Sequence, residues 1–305
     1  MPPDPSPPPG RRTLLRATFA GGVLALGGCG IRLEDDAPAL PLLPTRTPVP
    51  GEDLLTALTR ECSRLADLAS ALPGSLATDL ATLHRRQHTV LRTTLLREQV
   101  PAALLDGPAA TPTGAAPDAD ALAALEAASA RGAAGFAEVS AGLLAPVAAV
   151  HAQRYAAAWL LAGTAPDTPV AVVPGEPALD VAAALAGAVY LLEVAAARSS
   201  GTQRTRATTS RDRLRALRAE VLTGEDPQPP ALGYSLPFPV RSAADARRLA
   251  RETVSTLRDG LGAQLDPVLA EAGADGLSAV TRWLGTVEVE ARRWGLPLAP
   301  FPGLA

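Results

Sequence analysis

Apolar residues recur at helical spacing from the start of the sixth block of ten. Leu54, Leu58, Cys62, Leu65, Ala69 and Leu72 fall on one side of a helix that Pro73-Gly74 stops, and Glu52 and Asp53 sit in its first turn, where the helix dipole favours carboxylates. A second helix spans about 76–98, with Leu76, Leu80, Leu83, Val90, Leu91 and Thr94 on one side, and the two read as an antiparallel hairpin. Residues 106–118, DGPAATPTGAAPD, read as a loop. The Ala-rich stretch that follows predicts two helices, about 120–143 and 146–162, with Pro146 opening the second at its first turn. The segment 163–177, GTAPDTPVAVVPGEP, punctuates the chain and is the expected boundary between an N-terminal bundle, 52–162, and a C-terminal bundle, 178–305.

Beyond that boundary, VAAALAGAVYLLEVAAA is apolar on nearly all sides and holds one charge, Glu193. Ala and Gly dominate it, so it predicts a central packed helix in preference to a membrane span. A helix over about 203–222 has a narrow stripe of Leu214, Leu217 and Val221; its other sides carry Arg204, Arg206, Arg211, Arg213, Arg215 and Arg218. The connector GEDPQPPALGYSLPFPV is too Pro-rich for a helix. Ser242 with Asp245 three residues on is the pattern of a capping box, and Val254, Leu257, Leu261, Leu265 and Val268 continue that helix to a bend or an end at Pro267. Leu277, Val280, Leu284, Val287, Ala291 and Trp294 build the last helix, which Gly295 and Pro297 close. No alternating run long enough for a sheet occurs. The expected fold class is all-α: two four-helix bundles packed together, or one continuous helical array.

The first 51 residues belong to neither bundle. Arg11 and Arg12 open a short apolar segment that ends at Cys29 and is too short to span a bilayer. RRTLLR resembles the twin-arginine export signal, with the general secretory route as the alternative, and ALGGC resembles the lipobox of bacterial lipoproteins. That resemblance implies a signal over 1–29 and a diacylglyceryl group on Cys29, which places the chain on the outer face of the cytoplasmic membrane with membrane lipid as its first partner. Residues 30–51 carry five prolines and no periodic face, so they read as a tether.

Composition narrows the chemistry. The net charge is −3 and aromatic residues make up 3%, so no basic field and few stacking surfaces exist for nucleic acid. Lys is absent, which removes Schiff-base and phosphate-loop lysines, and neither Gly-x-Gly-x-x-Gly nor Gly-x-Ser-x-Gly occurs. Cys29 and Cys62 are the only cysteines; once Cys29 carries lipid, Cys62 reads as an inert buried thiol. The Arg-rich helix reads as a solvated face, with anionic headgroups or an acidic partner as the alternative.

AGAVYLLEVAAAR, RLRAL, GYSLPFPV and the closing PFPGL resemble an uncharacterised ferritin-like domain of exported proteins from high-GC Gram-positive bacteria, over about 178–304. The resemblance implies a four-helix bundle and no particular reaction. Ferritin-like iron sites draw Glu and Glu-x-x-His ligands from facing helices, whereas this chain has no Glu-x-x-His and no histidine after His151. Where the resembled domain often has Glu-His before AVY, Leu185 and Ala186 stand here. The expectation is therefore a degenerate ferritin-like half, no cofactor, no catalytic residue and a binding or scaffolding role with an envelope protein as a possible partner. The alternative is a metal-binding oxidase or storage protein that uses Glu61, His84 and His151 of the first half.

Overall fold

The first two helices form the expected hairpin: α1, Glu52–Ser70, and α2, Ser75–Arg97, pack along each other around the 71–74 turn. The computed structural model describes residues 46–107, 118–224 and 233–304. The expected export signal with Arg11, Arg12 and Cys29, and most of the tether, lie outside the described residues. The buried side of α1 is set by Leu55, Leu58, Cys62, Leu65 and Ala69. Leu54, expected inward, is 40% exposed, because Leu55 takes the inner register at the first turn.

A one-turn helix, α3 (Ala102–Leu105), follows α2 and buries Leu105. Helix α4 spans Ala119–Arg131 and starts on Asp118, whose carboxylate accepts from the Ala121 N–H at 2.7 Å. The sequence predicts this helix to 143, but it stops at Arg131. A 3-10 turn over Ala133–Phe136 follows, and α5 then runs Ala141–Ala162. Alanine propensity favours continuation; Gly132 caps the helix instead, and the turn lets Phe136 and Val139 enter the main apolar cluster. Pro146 accordingly sits inside α5 and does not open it.

The second half comprises α6 (Glu176–Ala197), α7 (Gly201–Val221), α8 (Ala243–Ala263) and α9 (Leu265–Arg293). Ser242 and Asp245 form the predicted capping box on α8. Helix α8 ends at Ala263, short of the predicted Val268, and α9 starts at Leu265 with Pro267 in its first turn, where the missing N–H has no partner to lose. A kink at Gly273 (φ 50°, ψ −117°) then redirects α9.

The apolar α6 is not the centre of the molecule. It packs against α7 and α8, and Ala183 and Ala184 on its outer side are exposed. Among the described residues it is the one helix long and apolar enough to cross a membrane; Leu185 and Leu192 on its inner side are fully buried. The central pair is α5 and α9, one from each half. Every residue of α5 from Val147 to Ala158 is buried. Their backbones nearly touch: a Cβ on Gly285 would stand 2.7 Å from the Ala152 carbonyl and from Tyr155.

Within the compact unit Pro48–Ala305, one apolar cluster therefore runs from Leu55 and Leu58 through Val147, Val150, Leu284 and Val287 to Leu185, Leu214 and Leu257. A second cluster of Leu65, Leu80, Leu122 and Ala157 fills the far end of the first bundle. The linker is part of this core at Val173. After Gly295 the tail crosses back over both halves: Leu298 packs on the second cluster, and Gly303 presses so closely on Gly262 of α8 that neither tolerates a Cβ facing the other. The chain is all-α, with nine α-helices and no strand among the described residues.

Candidate functional site

Four helices each turn polar residues into the middle of the first bundle. Cys62 comes from α1, His84 and Gln87 from one side of α2, Glu126 from α4, and Gln153 and Arg154 from α5; all six are 0% exposed. Charged groups this deep persist only when paired. Arg154 lies at the focus. Its Nη1 donates to His84 Nδ1 at 2.7 Å and to Glu126 Oε2 at 3.3 Å, and its Nη2 donates to Cys62 Sγ at 3.1 Å.

Because a guanidinium only donates, His84 Nδ1 accepts, and its Nε2 lies 2.8 Å from Glu126 Oε1. Gln87 Oε1, 3.2 Å from the same Nδ1, is then a packing neighbour there, and takes the Cys62 thiol at 3.9 Å. Gln87 Nε2 donates to Gln153 Oε1 at 3.3 Å and to the Pro300 carbonyl at 2.7 Å, so the tail closes this network from outside.

Burial alone would lift the Glu126 carboxyl, but His84 and Arg154 outweigh it and hold Glu126 below the usual glutamate range. Burial dominates at Cys62 and pushes the thiol up to about 11 despite Arg154, so it stays protonated and unreactive. The carboxylate of Glu126 and the guanidinium of Arg154 thus face each other at 3.3 Å in the middle of the bundle.

A cavity of about 460 Å³ opens beside this centre between α1 and the α4–α5 connection. Leu54, Leu58, Gly132 and Phe136 supply its apolar wall, and Arg60, Glu61, Arg64, Ser129 and His151 its polar groups. His151 is 1% exposed, its ring 4.8 Å from that of Phe136. Its Nδ1–H donates to the Ser129 carbonyl at 2.9 Å, while the Ser129 hydroxyl donates to Glu61 Oε2 at 3.2 Å. Burial, assisted by Arg154, drives the His151 pKa down to about 3, so the imidazole is neutral and its Nε2 is a bare, buried acceptor without a hydrogen-bond partner.

The three residues singled out as an alternative metal set therefore part company. Glu61 and His151 share the cavity through Ser129, whereas His84 faces Glu126 and Arg154. Among the described residues no three His, Cys, Asp or Glu side chains gather closely enough to hold a metal ion. Sequence reasoning missed Glu126 and Arg154. Arg154 is the lone charge of α5, and Glu126 is the lone charge between the end-turn Asp120 and Arg131 of the Ala-rich α4; their opposite signs were the available signal.

The second half uses its charges for joints between helices. Glu193 pairs with Arg215 at 2.5 Å. Buried Glu290 of α9 accepts from Ser210 at 2.6 Å, Arg213 at 3.1 Å and Arg293 at 2.6 Å, and both arginines also lie over Trp159 of α5. On α7, Arg204 donates to the Ser199 carbonyl, Arg218 to the Ala182 carbonyl, Arg211 pairs with Asp212, and Arg206 covers Trp294. The arginines of that helix thus have partners within the chain.

Residues 178–305 match the family described as a domain of unknown function, DUF4439, which is the stretch where the sequence motifs carry their resemblance. No curated protein and no solved structure matches the chain.

Proposed function

We propose that this chain is a lipid-anchored envelope protein with a binding or scaffolding role, held through Cys29 on the outer face of the cytoplasmic membrane. In this reading residues 178–305 are a ferritin-like bundle without metal ligands, and the partners are membrane lipid and envelope proteins, not nucleic acid. Arg154 is the observation that carries the non-metal part. A metal site in a helical bundle needs carboxylates and imidazoles whose lone pairs converge on open space. Here the lone pairs of His84, Glu126 and Cys62 converge on a guanidinium, a permanent cation (Arg154) fixed from several sides. A divalent ion about 4 Å from it would meet roughly 8 kcal/mol of repulsion at an effective dielectric of about 20. The donor set does not fit a metal.

The test is elemental analysis, with mass spectrometry of the N-terminus, on protein taken from its own export pathway. The expected result is substoichiometric iron, manganese and zinc and a diacylglyceryl group on Cys29 as the first residue. Stoichiometric metal that is lost in His84→Ala overturns the non-metal reading, and an unmodified Cys29 overturns the anchor.

A further inference from the structure

We propose that the cavity beside the first bundle's centre binds an uncharged apolar molecule that bears one hydroxyl or N–H donor, such as an alkylphenol, with that donor directed at His151 Nε2. The proposal rests on the binding reading above and names the ligand class for it. The cavity, at about 460 Å³, lies in the range of small-molecule sites and joins an apolar wall to a few convergent polar groups, as such sites do.

The polarity of the ligand follows from the imidazole. Ser129 holds the Nδ1 proton by its carbonyl, which leaves Nε2 able only to accept. Buried polar atoms in folded proteins are satisfied in the great majority of cases; His151 lines the cavity and its Nε2, just beneath the surface, has no partner within the chain, so a donor that reaches it from the cavity would complete it. The same geometry limits charge. Arg154, which acts on the His151 ring, and the lining residues Arg60 and Arg64 oppose a cationic ligand, and Glu61, also in the lining, opposes an anion. What remains is a neutral donor on an apolar body, with Leu54, Leu58 and Phe136 against that body. Leu54 explains itself on this account: it is an exposed leucine because it forms part of a wall.

A matched pair of compounds isolates the donor: 4-propylphenol and its methyl ether, 4-propylanisole, titrated calorimetrically into the full mature protein. An unmade hydrogen bond at a buried acceptor is worth roughly 1–3 kcal/mol, so the phenol should bind about 5- to 150-fold more tightly than the ether. His151→Leu should erase that preference. Ala57→Trp, which fills the cavity from an exposed lining position of α1 and leaves the core untouched, should abolish binding of both. Equal affinity for phenol and ether, a preference that survives His151→Leu, or no saturable binding of the phenol overturns the proposal. None of those results touches the metal content or the Cys29 modification, so the broader reading stands or falls separately.

Discussion

Replacing Arg154 by methionine preserves the bulk of the side chain and removes its charge. Glu126 then remains ionised, fully buried and opposed only by His84, while Cys62 loses its donor. Removing one partner of a buried pair costs about 3–5 kcal/mol, most of it the desolvation of the charge left behind. With a urea slope of about 3 kcal/mol/M, the upper end of the range for small proteins, the midpoint should fall by roughly 1–1.7 M at unchanged slope, read by circular dichroism at 222 nm. Glu126→Gln should cost a similar amount by stranding the guanidinium. The double substitution should cost at least about 2 kcal/mol less than the sum, because neither charge is then left alone. The pH dependence has a definite sign. The folded pKa of Glu126 lies below its ordinary value of 4.5, so its contribution is full above pH 4.5 and is lost as pH falls through the folded value. An Arg154→Met penalty under about 1 kcal/mol, or strict additivity in the cycle, refutes the paired centre.

Two further perturbations follow from the same structure. His151 has a folded pKa of about 3 against an ordinary 6.5, so the unfolded chain takes up the proton first and stability falls as pH drops below 6.5. Wild type should lose about 2.5 kcal/mol relative to His151→Leu between pH 6.5 and 4.5, measured from urea midpoints; parallel pH profiles would show that the imidazole is not buried. Gly262→Ala drives a methyl group into the Gly303 backbone and should cost about 1–3 kcal/mol, with faster amide exchange over the tail residues 296–304; a neutral effect would mean that the tail is not seated on α8.

Helices with one-sided apolar stripes were legible in the sequence. Leu58, Cys62 and Leu65 of α1, Leu257 and Leu261 of α8, and Leu284 and Val287 of α9 lie inside as their spacing requires, and the Ser242–Asp245 cap forms as predicted. Legibility failed where the pattern carries no direction. From Leu143 to Ala162 α5 is apolar almost all round, so periodicity cannot say which side meets α9, and the more hydrophobic α6 took its place as the expected centre. The break after Arg131 had a local signal that the surrounding alanines masked: Gly132 caps α4 and Gly135 follows it, and the burial of Phe136 and Val139 fixes the turn. His84 and His151 were seen as inward histidines, but the partners of His84, Glu126 and Arg154, lie 42 and 70 residues away along the chain, and that of His151, the Ser129 carbonyl, lies 22 away on another helix. A buried cation changes what a buried imidazole can do, and no local window contains both Arg154 and His84.

The path of the tail has a consequence for biogenesis. Pro300 supplies the acceptor that completes the Gln87 amide, Leu298 covers the cluster around Leu65 and Leu80, and Ala299 donates to Glu288 at 2.6 Å. The interior of the first half is thus finished by residues that leave the ribosome well after all of its own helices. Co-translational maturation of that half as an independent piece is denied to this chain, and a nascent polypeptide truncated before Leu296 would present an open, half-satisfied interior to whatever machinery inspects it.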